Sequence, residues 1–218
     1  MIILKNFVFN PFQVNTYVLY DETKKCIIVD PACMDEIEKN ELSQFIETHN
    51  LLPLKLFNTH THFDHIAGNR FVAEKYQINL EVHKDSLNIL HSARASAEIF
   101  GFDLIESVEP SAFINDGDII KFGNSELEVL YTPGHVDGSV CFYSKNDNFV
   151  ISGDVLFNLS IGRSDLPTGN HKFLIESIKS KLVVLPGNTI VYPGHGLFTT
   201  IGYEIENNPF LLKNLKNI

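Results

Sequence analysis

A dense group of metal-binding residue types lies between positions 59 and 65, where the sequence reads Thr-His-Thr-His-Phe-Asp-His. It offers three imidazoles and one carboxylate, from His60, His62, Asp64 and His65. Imidazole and carboxylate suit zinc and the neighbouring transition metals, and catalytic zinc sites use them while leaving one position open for water. Ordinary packing does not require so many of these side chains so close together. The segment therefore predicts one half of a two-metal hydrolytic centre.

The flanking sequence supports this interpretation. Two histidines separated by one residue can simply lie on a strand, so His60 and His62 alone would not indicate a metal site. However, the apolar run at 54–58 predicts a strand, and the apolar residues of 67–76 recur at helical spacing. The group then occupies a loop between a strand and a helix, which is the usual place for catalytic side chains on a rigid scaffold.

Three further residues complete the predicted set, and each follows a predicted strand. Pro-Gly turns precede His135 and His195, and the dipeptide Ser-Gly precedes Asp154. Proline and glycine occur in any loop, and a histidine after them can simply face solvent. The repetition of the arrangement after three apolar strands argues against that explanation. Together with the first group, these residues supply the number of ligands that a two-metal site needs.

Composition limits the class of protein. With 218 residues, 44% of them hydrophobic, the chain can bury a sizeable core, and we expect one domain over 1–218. No apolar stretch is long enough to span a bilayer, and the amino terminus lacks the features of a secretory signal. We therefore expect a soluble, cytoplasmic protein with no membrane partner.

Charge and cysteine content exclude other classes. A formal net charge of −10 argues against non-specific nucleic-acid binding, which depends on Lys and Arg, although bound divalent ions would cancel part of that charge. Cys26, Cys33 and Cys141 form neither a C-x-x-C pair nor an even disulfide set. We expect them to be small buried apolar residues.

The order of predicted elements indicates the fold class. Strands are predicted at 2–9, 16–20 and 26–30, followed by a helix from Asp35 to about His49 with Glu38 as the capping-box partner. Its predicted apolar face comprises Ile37, Leu42, Phe45 and Ile46. Further elements are a strand at 80–82, a helix at 85–100, strands at 127–131, 140–143 and 149–152, a helix at 173–182, a last strand at 189–192 and final helices. Strands followed by helices, twice over, predict an α/β (α+β) four-layer αββα sandwich.

The sequence resembles the metallo-β-lactamase fold superfamily over nearly its whole length. The signature H-x-H-x-D-H matches residues 60–65, and the later His, Asp and His match His135, Asp154 and His195. The resemblance implies two divalent metal ions, with zinc the leading choice and iron or manganese also compatible with these ligands. It implies that one ion is held by His60, His62 and His135, the other by Asp64, His65 and His195, and that Asp154 bridges them.

Within that superfamily, two segments look like the short glyoxalase-II-like (hydroxyacylglutathione hydrolase-like) hydrolases. These segments are 153–167 and 193–210. Full-length glyoxalase II enzymes continue past the final histidine into a helical domain that helps bind glutathione, and we expect no such separate domain here, which leaves the thiol carrier open. Arg163 occupies the position of a basic substrate-contacting residue in that family. It is interpreted as an anion contact, with a solvated loop arginine as the alternative.

The chemistry expected of such a centre is hydrolysis. Metal coordination lowers the pKa of bound water to about 7, and two metals about 3.5 to 4 Å apart hold the resulting hydroxide between them. That hydroxide would attack an ester-like carbonyl while a metal takes up the charge developing on oxygen, and Asp64 would orient it. A thiol, with a pKa of about 8.5, departs with little protonation, which favours a thioester over an amide. The sequence thus predicts a dinuclear hydrolase of a small-molecule thioester.

Several alternatives stay open. Persulfide dioxygenases share the fold and a Gly-Arg-Ser/Thr-Asp stretch but use a single iron, so metal content and oxygen consumption distinguish them. A lactonase or β-lactamase is less favoured, because Asp154 sits where several lactamase subclasses place a different residue and no export signal is present. A non-catalytic metal scaffold is disfavoured because structural zinc sites are usually closed and thiolate-rich, and the candidate set contains no cysteine. The oligomeric state is left open.

Overall fold

The computed structural model describes residues 1–104 and 106–215. The strands of this part of the chain are β1 (Ile3–Phe9), β2 (Val14–Tyr20), β3 (Lys25–Val29), β4 (Leu52–Phe57), β5 (Leu80–Val82), β6 (Ala112–Phe113), β7 (Ile119–Phe122), β8 (Ser125–Tyr131), β9 (Val140–Ser144), β10 (Phe149–Gly153), β11 (Leu156–Phe157), β12 (Ser160–Ile161), β13 (Ile190–Pro193) and β14 (Thr199–Thr200). The helices are α1 (Glu36–Thr48), α2 (Asn69–Tyr76), α3 (Leu87–Ile99), α4 (His171–Ser177), α5 (Ile201–Asn207) and α6 (Pro209–Leu215). A 3₁₀ turn at Lys84–Ser86 precedes α3, and a π-helical turn at Ile178–Leu182 follows α4.

The strands form two six-stranded sheets and one short hairpin. The first sheet has the order β1-β2-β3-β4-β5-β6, antiparallel from β1 to β3 and parallel from β3 to β6. The second has the order β14-β13-β10-β9-β8-β7, in which β10 and β13 run parallel and the other pairs are antiparallel. Strands β11 and β12 form the hairpin. Each sheet therefore has parallel strands whose carboxyl ends lie at one edge.

Three apolar cores separate four layers. Between the sheets, Phe57 of the first packs near Phe142 of the second, with ring centroids 5.6 Å apart. On the outer face of the first sheet lie α1 and α2, and on the outer face of the second lie α4, α5 and α6. Strand β2 is buried along its whole length because its alternate residues enter two different cores. The predicted four-layer αββα sandwich is confirmed.

The start of α1 shows which part of the capping prediction holds. Asp35 caps the helix, since its carboxylate accepts from the backbone N–H groups of Ile37 and Glu38 at 2.9 Å. Glu38 does not close the predicted box. Its carboxylate accepts instead from the backbone N–H groups of Met34 and Asn10, and the second bond ties the β1–β2 loop to the helix. Ile37 is 79% exposed and so is not part of the apolar face.

Replacing Asp35 by alanine is expected to lower the free energy of unfolding by about 1 kcal/mol, because two helix-terminal N–H groups lose their acceptor. Urea unfolding measures the change. The matched control is Glu41→Ala, an exposed position in the middle of the same helix, where we expect a change within about 0.5 kcal/mol. Equal effects of the two substitutions would show that Asp35 contributes nothing as a cap.

Other differences from the sequence prediction have simple causes. The strand at β13 is not the last one, because β14 pairs with it after the turn at 194–198. Strands of two residues, such as β6, β11 and β12, are too short to show a periodicity. The three cysteines are free and buried as expected, and burial raises the pKa of each thiol to about 12. Among the described helices, none combines the length and the apolar character that crossing a bilayer requires.

Candidate metal centre

The candidate ligands leave the carboxyl ends of four strands at one edge of the sandwich. The segment 60–65 follows β4, His135 follows β8, Asp154 follows β10 and His195 follows β13. Their ligand atoms form three overlapping groups, and within each group all atoms lie within 4.8 Å of one another: His60, His62 and His135; His60, His65 and Asp154; Asp64, His65 and His195. The structure thus brings together all seven residues that the sequence predicted.

Glycines let these turns approach one another closely. Gly134 adopts a positive φ of 133°, and a Cβ there would overlap the backbone of Leu174 in α4. A Cβ at Gly194 would overlap the Oδ1 atom of Asp154. The Pro-Gly turns before His135 and His195 are therefore needed for close contact with a helix and with a candidate ligand, as well as for changing chain direction.

Hydrogen bonds fix the tautomers of four imidazoles. The Nδ1 atoms of His135 and His195 donate to the backbone carbonyls of Arg163 and Phe12, at 2.7 and 2.9 Å. His65 Nδ1 donates to the Asp30 carboxylate at 3.1 Å. His60 Nδ1 lies 3.1 Å from Thr59 Oγ1, whose own hydrogen points to Asp30. Because Nδ1 carries the proton in each ring, the Nε2 lone pair is left for a cation.

Four imidazole nitrogens, one of them Nδ1 of His62, face each other in two pairs. His62 Nδ1 lies 3.0 Å from His135 Nε2, and His65 Nε2 lies 3.2 Å from His195 Nε2. Ligands arranged tetrahedrally at the usual Zn–N distance of 2.0–2.1 Å are about 3.3 Å apart, close to both separations. His60 Nε2 and Asp154 Oδ1 are buried without any hydrogen-bond partner. Buried polar atoms rarely lack a partner, so this set fits a pair of metal ions.

The two carboxylates occupy different places relative to these pairs. Asp154 lies against both, with Oδ2 3.6 Å from His135 Nε2 and 3.4 Å from His195 Nε2, and Oδ1 3.5 Å from His65 Nε2. Asp64 Oδ2 lies 3.6 Å from His195 Nε2 and 4.0 Å from His65 Nε2. Asp154 is thus placed between the pairs, whereas Asp64 belongs to the second.

Electrostatics distinguish the two pairs. Burial lowers the pKa of His62 to about 3 and that of His60 well below its usual value, so both rings are neutral at physiological pH. Burial also lowers the pKa of His65, but the Asp154 and Asp64 carboxylates outweigh it and hold that pKa well above its usual value. The side of the site that contains Asp64 and Asp154 therefore stabilises a positive charge. A neutral imidazole is the form that binds a metal.

A buried aspartate that the sequence analysis did not single out organises the first segment. Asp30, at the end of β3, accepts from Thr59 N at 2.7 Å, Thr59 Oγ1 at 2.6 Å and His65 Nδ1 at 3.1 Å. It thereby orients His65 directly and His60 through Thr59. The available signal was its position, because a carboxylate after an apolar strand that ends beside β4 needs partners once buried.

Replacing Asp30 by asparagine is expected to weaken metal binding about 10- to 100-fold, because an amide cannot accept all of these hydrogen bonds. Competition with a chromophoric chelator measures the affinity. The matched control is Asp21→Asn, a buried aspartate that accepts from Thr23 and Asn124 in the turn after β2, at the opposite end of that strand from the site. We expect both variants to be less stable than the wild type, and only Asp30→Asn to bind metal more weakly. Equal metal affinity in the two variants would contradict a role for Asp30 in orienting His60 and His65.

The first sheet also braces the loop that carries His195. Asn15 Nδ2 donates to the carbonyls of Pro193 and Gly196 at 2.9 and 3.0 Å. Tyr17 Oη donates to the same Pro193 carbonyl at 2.6 Å. Asn10 Nδ2 donates to the carbonyl of Asp64 at 2.9 Å. These contacts join residues more than fifty positions apart, so no local pattern could have predicted them.

Arg163 lies at the cleft with its backbone and its side chain in different roles. Its carbonyl holds His135, while its exposed guanidinium makes a two-point contact with Asp165, at 2.8 and 2.9 Å. The predicted anion contact thus has an internal acidic partner. His83 lies outside the candidate ligand groups; it stacks on Tyr131 and caps the 3₁₀ turn at Lys84–Ser86.

Comparisons with known proteins agree with this geometry. The family model described as "Metallo-beta-lactamase superfamily" matches residues 9–195. The chain belongs to the metallo-beta-lactamase superfamily. It is 40% identical over 206 residues to the "Probable metallo-hydrolase YqgX" of Bacillus subtilis (strain 168), covering 92% of this chain and 93% of the relative. It is 34% identical over 203 residues to "Hydroxyacylglutathione hydrolase GloC" of Haemophilus influenzae, with coverage of 92% and 93%.

Solved structures of the superfamily match at similar identity. The chain is similar to BLEG-1 B3 metallo-beta-lactamase, with 35% identity, a TM-score of 0.88 and coverage of 96% of this chain and 99% of the other. It is also similar to TTHA1623 in a di-iron-bound form, with 35% identity, a TM-score of 0.86 and coverage of 95% and 100%. Membership of this metallo-hydrolase superfamily indicates an enzyme.

Proposed function

We propose that this protein is a dinuclear metal-dependent hydrolase of thioesters. In this proposal His60, His62 and His135 hold one divalent cation, Asp64, His65 and His195 hold the other, and Asp154 bridges them. Support comes from the two imidazole pairs that face each other at 3.0 and 3.2 Å, with Asp154 against both. The di-iron form of TTHA1623 is consistent with two ions in such a set. Zinc is the leading choice, with iron or manganese as alternatives.

Partial exposure of the carboxylates favours catalysis over a structural role. The side chains of Asp64 and Asp154 are 13% and 12% exposed, although the imidazoles of His60 and His65 are buried. Structural zinc sites are closed, whereas catalytic sites keep an open position. Water and substrate can therefore reach the centre from the side of the two aspartates.

The division of roles follows from these positions. Divalent cations bound here supply Lewis acidity and activate water at neutral pH. Asp64, on the second pair, orients the attacking water and accepts a hydrogen bond from it. Asp154 fixes the distance between the pairs. The backbone carbonyls of Arg163 and Phe12 keep His135 and His195 in the binding tautomer.

The side chains that line the cleft favour a thioester, because a thiolate leaving group needs no general acid. The ionisable side chains that line the cleft, within the described residues, are His135, Asp154 and His195, which are candidate ligands, and Arg163, which stays protonated. A free general acid is therefore not among them. An amine leaving group needs a proton, but a thiol with a pKa of about 8.5 departs as thiolate. The likeness to hydroxyacylglutathione hydrolase GloC also supports a thioester substrate.

The test is a substrate panel with metal-loaded protein. S-lactoylglutathione and simpler thioesters are supplied, and thiol release is followed with a thiol reagent. Hydrolysis that is absent after chelation and returns when metal is restored supports the proposal. A metal-replete protein that is inert toward every thioester but turns over nitrocefin, or consumes oxygen with glutathione persulfide, would overturn it in favour of a lactamase or a persulfide dioxygenase.

A further inference from the structure

One wall of the cleft is built from apolar side chains, some of which are exposed to water. The cleft beside the candidate metal centre has a volume of about 460 Å³, and its lining includes Phe157, Ile161 and Leu197. The Phe157 ring lies 6.3 Å from the ring of His195. Leu197 is 76% exposed, and its neighbour Phe198 is 64% exposed. Apolar side chains grouped on an open surface next to a reaction centre mark a ligand contact.

The β11–β12 hairpin holds part of this wall in an unusual conformation. Leu159, at its tip, has a φ of +57°, although it is not a glycine. Bulky residues rarely adopt this conformation, and it persists where surrounding structure enforces it, often at ligand sites. The Leu159 side chain is itself exposed, so core packing does not explain the strain.

A buried carboxylate enforces the hairpin. Glu204 of α5 is fully buried and accepts from Leu159 N at 3.0 Å and from Thr199 Oγ1 at 2.6 Å. Asn208, also buried, donates to Glu204 at 2.7 Å and to the Ser160 carbonyl at 3.0 Å. One network thus joins the hairpin to the residue that follows Leu197 and Phe198. The backbone on both sides of the wall is thus held by the same buried residues, which preorganises a binding surface.

The charges around the cleft argue against a strongly anionic ligand on this wall. Arg163 is the one cation among the lining residues that the structure describes, and Asp165 already neutralises it through two hydrogen bonds. Segments 156–161 and 196–198 themselves contain no charged residue, and the two cations proposed above would offset Asp154 at the centre and not on this wall. An uncharged hydrocarbon segment complements this wall better than a carboxylate-bearing peptide does.

We propose that β11–β12 and residues 196–198 form an apolar subsite for a hydrocarbon segment of the substrate, several methylene groups long. The substrate class rests on the thioester hydrolysis proposed above. The segment can belong to the acyl chain or to the thiol arm, and the two sources are separable by experiment. Each buried methylene contributes about 0.8 kcal/mol, which corresponds to about fourfold in kcat/KM.

Two thioester series locate the segment. The acyl series uses acetyl, butyryl and hexanoyl thioesters of N-acetylcysteamine, and the thiol series uses acetyl thioesters of ethanethiol and butanethiol. We expect kcat/KM to rise at least about tenfold along one series. Leu197→Asn reduces that rise to less than about threefold. The matched control is Leu52→Asn. Leu52 is an exposed leucine at the start of β4, the end of the strand away from the site, and its replacement leaves the rise in kcat/KM unchanged.

A binding measurement separates this inference from the proposed function. Calorimetry with the metal-loaded protein compares acetate with hexanoate and ethanethiol with butanethiol, without turnover. We expect the longer member of one pair to bind about tenfold more tightly, and this preference to disappear in Leu197→Asn. If no thioester is hydrolysed, the proposed function fails while this binding ratio still decides the subsite. Equal affinities within both pairs, or an undiminished preference in Leu197→Asn, overturn the subsite.

Discussion

Replacing Asp154 by asparagine is expected to lower kcat/KM for thioester hydrolysis by about 10³-fold and to reduce the metal content of the protein. This carboxylate lies within 3.6 Å of the Nε2 atoms of His65, His135 and His195, so it is the residue shared by both imidazole pairs. An amide keeps the shape but removes the negative charge between the two cation positions. Under the proposed function, several kcal/mol of transition-state stabilisation would depend on the two cations, and each 1.36 kcal/mol is tenfold in rate.

The control for Asp154→Asn is the same substitution at an aspartate that lies away from the candidate metal centre. Asp147 lies in the β9–β10 turn, where its carboxylate accepts from Ser144 Oγ at 3.0 Å and from the backbone N–H of Ile2. It precedes β10, whereas Asp154 follows that strand, so the two sit at opposite ends. Asp147→Asn is expected to retain both metal content and activity. Unchanged activity in Asp154→Asn would contradict a bridging role.

Replacing His62 by alanine is expected to reduce kcat/KM at least about 100-fold, with loss of the cation next to His60 and His135. His62 Nδ1 faces His135 Nε2 at 3.0 Å, and burial lowers the His62 pKa to about 3, so the ring is present as the neutral ligand form. Removing it leaves His60, His135 and the bridging Asp154 as the proposed ligands at that position. The rate falls because this position would no longer hold the cation that is proposed to supply Lewis acidity.

His83→Ala is the matched histidine control. His83 follows β5, the strand beside β4, and is also buried, yet it stacks on Tyr131 instead of joining the candidate ligands. Its removal is expected to lower the free energy of unfolding by about 1–3 kcal/mol while the metal content is retained. If His62→Ala and His83→Ala changed metal content and activity equally, His62 would have no special role.

The gathering of the candidate ligands at one place was predictable because each has a strong local signal. Residues 60–65 concentrate four ligand types in one loop, and His135, Asp154 and His195 each follow an apolar strand and a glycine. The ends of neighbouring strands meet at one edge of a sheet, so strand positions alone place these residues near one another. The four-layer arrangement was predictable for a similar reason, because apolar periodicity marks the longer strands and helices.

The supporting residues were not predictable, because their partners are distant in sequence. Asp30 acquires its role from Thr59 and His65, and Asn15 from the turn at 193–196. The hairpin of β11 and β12 has too few residues to show a pattern, and its shape depends on Glu204, more than forty positions later. Glu38 shows the same limit, since tertiary contact with Asn10 replaced the expected capping box.

The two imidazole pairs bear on the choice between the thioester and persulfide hypotheses. The first requires two metal ions and the second requires one. A mononuclear iron site would use one pair and leave the second pair of lone pairs, together with Asp64, without a cation. Protons would then have to take the place of that cation because, despite burial, the Asp154 and Asp64 carboxylates hold the pKa of His65 well above its usual value. The structure already gathers all seven candidate ligands. The preorganised second pair favours occupation by two ions.

The number of metal ions per chain tests the central claim most directly. The purified protein is stripped with a chelator, reconstituted separately with zinc, iron and manganese, freed of excess metal and measured by atomic emission. The account predicts two ions per chain for at least one of these metals, with about one per chain in His62→Ala. One ion per wild-type chain for every metal, or none, would contradict a dinuclear centre.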